Sequence, residues 1–180
     1  MGKNPSSFIQ GEADCPVDSI NWIDCQDFIK KLNTLGEGIY RLPMEAEWEY
    51  ACRAGSTTAL ANGDLITVYC DLDPNLDELG WYCGNSGRQT HLVAQKSPNP
   101  WGLYDMHGNL AEWCQDWYGP YKETPQTDPN GPPSGPGKLA RGGSWFSSAK
   151  NCRAAARLHW PPYAVLQIQI FGFRLVMVLK

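Results

Sequence analysis

The sequence predicts an α+β fold with two helices, short strands and long ordered loops. Two early segments carry apolar residues at helical spacing, whereas residues 56–136 hold most of the Gly, Pro, Asn and Asp. With 180 residues, of which 42% are hydrophobic and 19% charged, the chain is long enough to bury a core. We therefore expect a single domain over residues 1–180.

The first helix is predicted between residues 20 and 35. Its apolar positions recur at spacings of three and four: Ile20, Trp22, Cys25, Phe28, Ile29 and Leu32. Asn21 is a suitable N-cap, and the glycines of GEG (36–38) end the pattern. The segment is amphipathic, so one face is expected to pack on the core.

The second helix is predicted within RLPMEAEWEYACRAG (41–55). Pro43 suits a first turn and Gly55 suits the C′ position. Four side chains are expected to face inward: Ala46, Trp48, Ala51 and Cys52. Three glutamates are expected to be solvated near the positive end of the helix dipole: Glu45, Glu47 and Glu49. A structural role alone explains this motif.

The rest of the chain is predicted to form loops and short strands. The aromatic pieces GWYCG and WGLYD lie between turns, and tryptophans packed into the long loops are expected to hold them in place. GPPSGPGK (131–138) is typical of a connector, and GFRLVMVL (172–179) of a buried final strand.

Charge and hydropathy exclude two classes of partner. Fifteen Lys and Arg against nineteen Asp and Glu give a net charge of -4, so nucleic acid is not an expected partner. No apolar run reaches the roughly 18 to 20 residues of a transmembrane helix, and the first residues lack the apolar core of a signal peptide. We expect no direct membrane insertion and, by default, a cytoplasmic location.

The cysteines and histidines show no metal-binding pattern. Seven cysteines are scattered without a Cys-x-x-Cys pair: Cys15, Cys25, Cys52, Cys70, Cys83, Cys114 and Cys152. The three histidines, His91, His107 and His159, lack ligand spacing. The pattern favours mostly buried thiols in a reducing compartment over a disulfide framework or a zinc site.

Three motifs occur in a fixed order: RLPMEAEWEYACRAG (41–55), NPWGLYDMHGNLAEWCQDWY (99–118), and RGGSW with GFRLV (141–145 and 172–176). Together they resemble the formylglycine-generating enzyme, or sulfatase-modifying factor, family. The resemblance implies a C-type-lectin-like fold and covers nearly the whole chain. In that family the MGKNPS-type segment usually follows a first strand and helix, so this chain is expected to lack the usual N-terminal strand.

The resemblance also implies a calcium site in DMHGNLAEW, with the side chains of Asp105 and Glu112 and the backbone oxygens of Gly108 and Leu110 as ligands. Such hard oxygen ligands suit calcium. The alternative is a turn held by Asx-type hydrogen bonds, with Glu112 paired to an arginine such as Arg141. DLDPNLDEL (71–79) lacks the central glycine and closing glutamate of a calcium loop, and we discard it.

Catalytic members of the family hold copper through two cysteines. The first of these positions is Ser147 here, and Cys152 lies at the second offset. A hydroxyl cannot replace a thiolate as a Cu(I) ligand, so no catalytic residue and no required cofactor are predicted. Cys152 is instead expected to be a small buried residue.

The framework also resembles the variable proteins of diversity-generating retroelements, whose C-terminal segment is rewritten by error-prone copying. Residues 141–176 form the candidate variable region, since it opens with RGGSW, carries NCR and closes with GFR. The candidate ligand-binding positions are Phe146, Ser147, Ser148, Lys150, Ala156, Leu158, His159, Trp160, Pro161, Tyr163 and Ala164. Residues 159, 160 and 163 are expected in a loop, because Pro161 and Pro162 adjoin them.

The predicted function is therefore ligand binding without catalysis, with an unknown protein or glycan as partner. Exposed aromatic side chains would supply contact area at low entropic cost. Leu166, Ile168 and Ile170 alternate with glutamines, so a half-buried strand is an equal alternative for those three. The alternative functions are a formylglycine-generating-type or related metal-dependent oxidase, and a non-varying scaffold domain.

Overall fold

The computed structural model describes residues 4–8, 14–164 and 169–178. Its helices are α1 (Trp22–Thr34), α2 (Glu45–Arg53) and α3 (Pro74–Leu79), with a 3₁₀ turn at Ala149–Cys152. The strands are β1 (Ile39–Arg41), β2 (Ala111–Trp117), β3 (Lys138–Arg141), β4 (Leu158–Trp160), β5 (Phe171–Gly172) and β6 (Val176–Val178). The predicted α+β class with short strands is confirmed.

Both predicted helices form. The ends of α1 agree with the sequence pattern, but α2 begins at Glu45 after its N-cap Met44, so Pro43 precedes the first turn instead of lying in it. Asn21 caps α1: its side chain accepts from the amide of Asp24, whose carboxylate accepts from the amide of Asn21. At the end of α2, Ala54 adopts a left-handed conformation with φ of 45°, and Gly55 follows with φ of 94°.

The third helix, α3, was not predicted, because residues 71–79 were assigned to a loop. The Asp73 carboxylate accepts from the amides of Asn75 and Leu76, and Pro74 occupies the first turn. Leu76 is buried in a cluster with Leu60 and Tyr82. An Asp-Pro pair is a helix-start signal, but six residues are too few to show a helical period.

The main sheet has four strands in the order β4-β3-β2-β5. Glu112 of β2 faces Arg141 of antiparallel β3 on one side and Gly172 of parallel β5 on the other. The expected buried final strand is wrong: residues 171–178 divide between β5 and β6, and β6 pairs with β1 in a separate two-stranded sheet. Met177 and Val178 are exposed there.

The core lies on both faces of the main sheet. One cluster joins α1 to the rings of Trp113 and Phe171, which stack at 4.4 Å. A second joins Trp48 of α2 to Leu139. Tryptophans also tie loops together as predicted, since Trp145 Nε1 donates to the Gln169 carbonyl at 2.6 Å.

The cysteine prediction is partly wrong, because Cys70 and Cys83 form a disulfide. The other five are free thiols: Cys25, Cys52, Cys114 and Cys152 are buried and Cys15 is half-buried. None of the helices in the described part of the chain is long and apolar enough to cross a membrane.

Candidate ligand-binding face

A cavity of about 680 Å³ lies where the candidate variable region begins. Five of the predicted binding positions line it: Phe146, Ser147, Ser148, Ala156 and Leu158. Its other walls come from the disulfide of Cys70 and Cys83, from Arg88, and from the framework around Gly142 and Trp145. The structure therefore brings about half of the predicted positions together around one cavity, which we call the binding face.

The backbone that enters this face is fixed by Gly142 and Gly143, whose φ angles are 91° and 71°. A Cβ atom on Gly143 would lie 2.7 Å from the Sγ of Cys152, so no larger residue fits there without movement. The Ser144 amide then donates to Ser147 Oγ at 3.0 Å, and the Cys83 amide donates to the Ser147 carbonyl at 3.0 Å. The turn that presents Phe146 to solvent is thus held at both ends.

Ser147 and Cys152 do not fit a copper ion. The Ser147 hydroxyl is engaged with the amide and hydroxyl of Ser144, and the Cys152 thiol is fully buried beneath Gly143. Burial raises the pKa of Cys152 to about 12, so the thiolate that Cu(I) needs is disfavoured. The predicted buried role of Cys152 is confirmed.

The expected loop is wrong for residues 159 and 160, because Leu158–Trp160 form β4 at the edge of the main sheet. Side chains alternate along a strand. Leu158 and Trp160 pack against the core cluster of Trp113, whereas the His159 ring stacks on Tyr118 at 4.2 Å. Trp160 and His159 therefore pack against other parts of the fold. Of the four aromatic or histidine side chains predicted to bind ligand, these two are not freely displayed.

The remaining predicted positions lie at the two ends of this region. Tyr163 is exposed, and Pro161 and Ala164 are half-buried in a turn closed by the Ala164 amide on the Pro161 carbonyl. Lys150 is exposed at the other end. Leu166 and Ile168 lie outside the described residues, while Ile170 is half-buried against the core.

Arginine and glutamate pairs hold the framework around the face. Arg157 binds Glu45 through Nε and Nη2 at 2.6 and 2.8 Å, and the buried Arg141 binds Glu49. Glu45 was expected to be solvated, but it is buried, because the arginines beneath α2 require carboxylate partners. Ala46 is correspondingly exposed instead of facing inward.

One of the predicted calcium ligands, Glu112, is already engaged. Both Glu112 oxygens accept from Arg174, at 2.6 and 2.5 Å, and Oε2 also accepts from Trp48 Nε1. The partner of Glu112 is therefore Arg174 and not the suggested Arg141.

The neighbouring carboxylate has an open position. Asp105 Oδ2 accepts from the Ala94 amide at 2.9 Å, whereas Oδ1 is buried and has no hydrogen-bond partner among the described residues. Burial raises the pKa of Asp105, and the nearby Glu112 charge adds to the effect. A cation would suit Oδ1, but it would have to share Glu112 with Arg174. Calcium at Asp105, Gly108, Leu110 and Glu112 stays a prediction.

Sequence reasoning missed two features of this region. The sequence pattern did not predict that the disulfide and Arg88 line the binding face, because their position next to the cavity depends on the fold of residues 66–88. A second cavity of about 660 Å³, between α2 and residues 116–132, is lined by Glu45, Asp116 and Tyr121. Burial raises the pKa of Asp116, which is a consequence of this same packing.

Comparison with known proteins agrees with this architecture. The model of the sulfatase-modifying factor enzyme 1-like domain matches residues 1–179. The formylglycine-generating enzyme of Streptomyces coelicolor is 35% identical over 161 residues, covering 84% of this chain and 49% of that protein. The serine/threonine-protein kinase pkn1 of Chlamydia pneumoniae is 33% identical, covering 91% of this chain and 24% of the kinase. This chain thus spans half or less of the length of these two relatives.

Among solved structures, Treponema denticola variable protein 1 superimposes with a TM-score of 0.81 at 31% identity, covering 97% of this chain and 77% of that one. This similarity confirms the expected resemblance to variable proteins. The family motifs, the two-face core and these matches agree, and the chain therefore belongs to the sulfatase-modifying factor family, with its C-type-lectin-like fold.

Proposed function

We propose that this chain is a non-catalytic ligand-binding protein, whose residues 141–176 are diversified by a retroelement and displayed on the C-type-lectin-like scaffold. The observation that carries the proposal is the binding face: five predicted variable positions surround one cavity. The backbone beneath them is fixed by the glycines at 142 and 143 and by the arginine pairs. A diversified site needs this division, because its side chains must change while the fold persists.

The exposure of one aromatic side chain and the polar groups of the cavity wall support binding. Phe146 is exposed at the rim, and large exposed aromatic side chains supply most of the contact energy in many interfaces. Ser147, Ser148 and Asn151 add hydroxyl and amide groups to the wall of the cavity. Such a surface suits an external ligand, which we expect to be a protein or a glycan.

Absence of catalysis is supported by the two residues that stand at the copper positions. Ser147 supplies no thiolate, and the Cys152 thiol is buried with a raised pKa. The runner-up, a formylglycine-generating-type oxidase, is favoured by the identity to enzymes of that name. Anaerobic titration with Cu(I), together with an assay on a sulfatase-type cysteine peptide, separates the two. A stoichiometric complex or conversion of the peptide would establish the oxidase.

Tolerance of substitution tests the proposal directly. Residues 146, 148, 150 and 156 are randomised one at a time, displayed on yeast and selected for folding by resistance to protease. We expect most substitutions to survive at these positions. The matched control randomises Arg141, Gly143 and Trp145, where we expect few survivors, because buried polar groups and close packing are lost. Equal tolerance in both sets contradicts a division into display and framework positions.

The gene gives an independent test of diversification. A neighbouring reverse transcriptase, together with a near-copy of the segment encoding 145–174 that differs mainly at adenines, supports the retroelement. If the gene has no such repeat nearby, the chain is better explained as a non-varying scaffold domain of the same family.

A further inference from the structure

Residues 66–72 form an exposed apolar loop next to the binding face. Four large side chains in this short segment are exposed: Ile66, Val68, Tyr69 and Leu72. Contiguous apolar surface is a liability on a soluble domain unless it binds something. The loop lies outside the candidate variable region, so the diversification proposed above does not account for it.

The loop is held rigidly. The Tyr82 hydroxyl donates to the Asp71 carbonyl at 2.7 Å and accepts from the Asp73 amide at 2.6 Å. Asp73 Oδ2 in turn accepts from the amides of Ile66 and Thr67. The disulfide of Cys70 closes the segment. Little conformational entropy remains to be lost on binding, which favours a preorganised contact surface.

The loop is continuous with the binding face. The Ala149 amide donates to the Tyr69 carbonyl at 2.9 Å and the Lys150 amide donates to the Val68 carbonyl at 3.2 Å. Cys70 also lines the cavity that Phe146 borders. The loop and the cavity therefore share a wall at Cys70, and a partner that extends beyond the cavity at this wall contacts both segments.

The chemistry of the combined surface indicates the kind of partner. Three of the four exposed side chains, Ile66, Val68 and Leu72, are aliphatic and offer neither hydrogen bonds nor a flat ring, and only Tyr69 could stack on a sugar. The set as a whole therefore suits an apolar protein surface better than a glycan. Arg88 lines the cavity, and its guanidinium makes no ion pair among the described residues. Among the described residues the cavity lining includes no carboxylate, so an acidic group on the partner would be favoured there.

We infer that residues 66–72 and Arg88 form a fixed half of the binding face, which docks a protein through an apolar side chain next to an acidic one. The inference rests on the proposed ligand-binding function and narrows its ligand class. The fixed half supplies contact common to all variants, and the variable half adjusts specificity.

Random peptides displayed on phage are the probe. They are selected on the intact chain, and enriched peptides are synthesised and titrated calorimetrically. We expect enriched sequences to place Asp or Glu beside an apolar residue. The variants Tyr69→Ser/Leu72→Ser and Arg88→Glu should each weaken their binding about tenfold or more.

The matched control is Leu35→Ser/Tyr50→Ser, since these two side chains are each 68% exposed, against 66% for Tyr69 and 63% for Leu72. The control should bind as the unmodified chain does. Thermal melting checks that all variants fold, which their exposure predicts.

Two outcomes overturn the inference, and they leave different conclusions for the proposed function. If peptides bind but lose affinity only on Phe146→Ser, the fixed half is wrong and ligand binding by the variable half stands. If no peptide is enriched, a protein partner is wrong, and the proposed function is then decided by the tolerance and gene tests described above.

Discussion

Gly143 lies directly against Cys152, with room between them for a hydrogen atom but not for a methyl group. A Cβ at position 143 would lie 2.7 Å from Sγ and 2.9 Å from the Asn151 carbonyl oxygen. This contact lies below the binding face, and it packs the start of the candidate variable region against the buried Cys152.

Replacement of Gly143 by alanine should destabilise the chain by about 2 kcal/mol or more, because positive-φ strain and a backbone clash combine. Urea unfolding measures the loss. Gly87→Ala is the matched control: Gly87 has φ of 61° but nothing within 4 Å of its Cβ position, so only the strain remains. Equal losses in the two variants would show that the contact with Cys152 carries no cost.

His107 makes the stability of the chain depend on pH. Burial lowers the pKa of His107 to about 4, and the ring donates from Nδ1 to the Cys152 carbonyl while Nε2 accepts from the Ala61 amide. Protonation therefore favours the unfolded chain, whose histidine has the ordinary pKa.

Stability should be unaffected by this group above about pH 6.5 and fall progressively toward pH 4, by up to about 3 kcal/mol. Urea unfolding across this range measures the slope. His107→Gln should flatten the profile. A slope that survives in His107→Gln assigns the effect to another group.

Reduction of the Cys70–Cys83 disulfide should lower the free energy of unfolding by about 3 kcal/mol, as expected for a closed loop of this length. The separation of the two cysteines is 13 residues. The measurement is unfolding with and without a thiol reductant. The variant Cys70→Ser/Cys83→Ser should be insensitive to the reductant, and a loss of stability in that variant on reduction points to a different target.

Trp160 and Tyr163 should respond differently to serine. Trp160 packs against the core cluster of Trp113, so its replacement should cost about 2 kcal/mol or more, while Tyr163→Ser should stay within about 0.5 kcal/mol. Thermal and urea unfolding compare them. The sequence pattern placed both residues in one loop, and equal small effects would show that Trp160 contributes no more to the core than Tyr163 does.

Calcium, if it binds at Asp105, should raise the melting temperature as its concentration increases, because the ion binds the folded state alone. Asp105→Asn should reduce the shift, since the buried Oδ1 then carries no charge. Magnesium serves as the control ion, as it demands closer octahedral coordination. If the melting temperature is the same in calcium as in chelator, the predicted calcium site is wrong.

The sequence predicted those parts of the fold that local patterns determine. The cap at Asn21 and the glycine that ends α2 each have a signature a few residues long. The assignment of residues 159 and 160 to a loop failed, although it holds for residue 163, because prolines at 161 and 162 were weighed above pairing with β3, which is a nonlocal interaction. Prolines mark the end of this edge strand, as they commonly do.

The candidate site was predicted where motifs supply it and missed where distant segments meet. Phe146 and Ser147 directly follow the RGGSW motif on which the family resemblance rests, so they were found. Arg88 and Cys70 of the loop at 66–72 line the same cavity because of α3 and the disulfide. Neither of these two features was predicted from the sequence. Glu45 was wrongly expected to be solvated because its partner, the half-buried Arg157, is far away along the chain.

The shared register of Glu112 has a consequence for how the chain can be altered. Because β3 and β5 flank β2 at the same residue, Arg141 and Gly172 lie about 10 Å apart, two strand spacings. The segment between Arg141 and Gly172 therefore leaves the sheet on one side of Glu112 and returns to it on the other side. Segments of different length could thus be exchanged between family members as whole cassettes, provided that each brings its own version of β4, without moving the two places where it is spliced in.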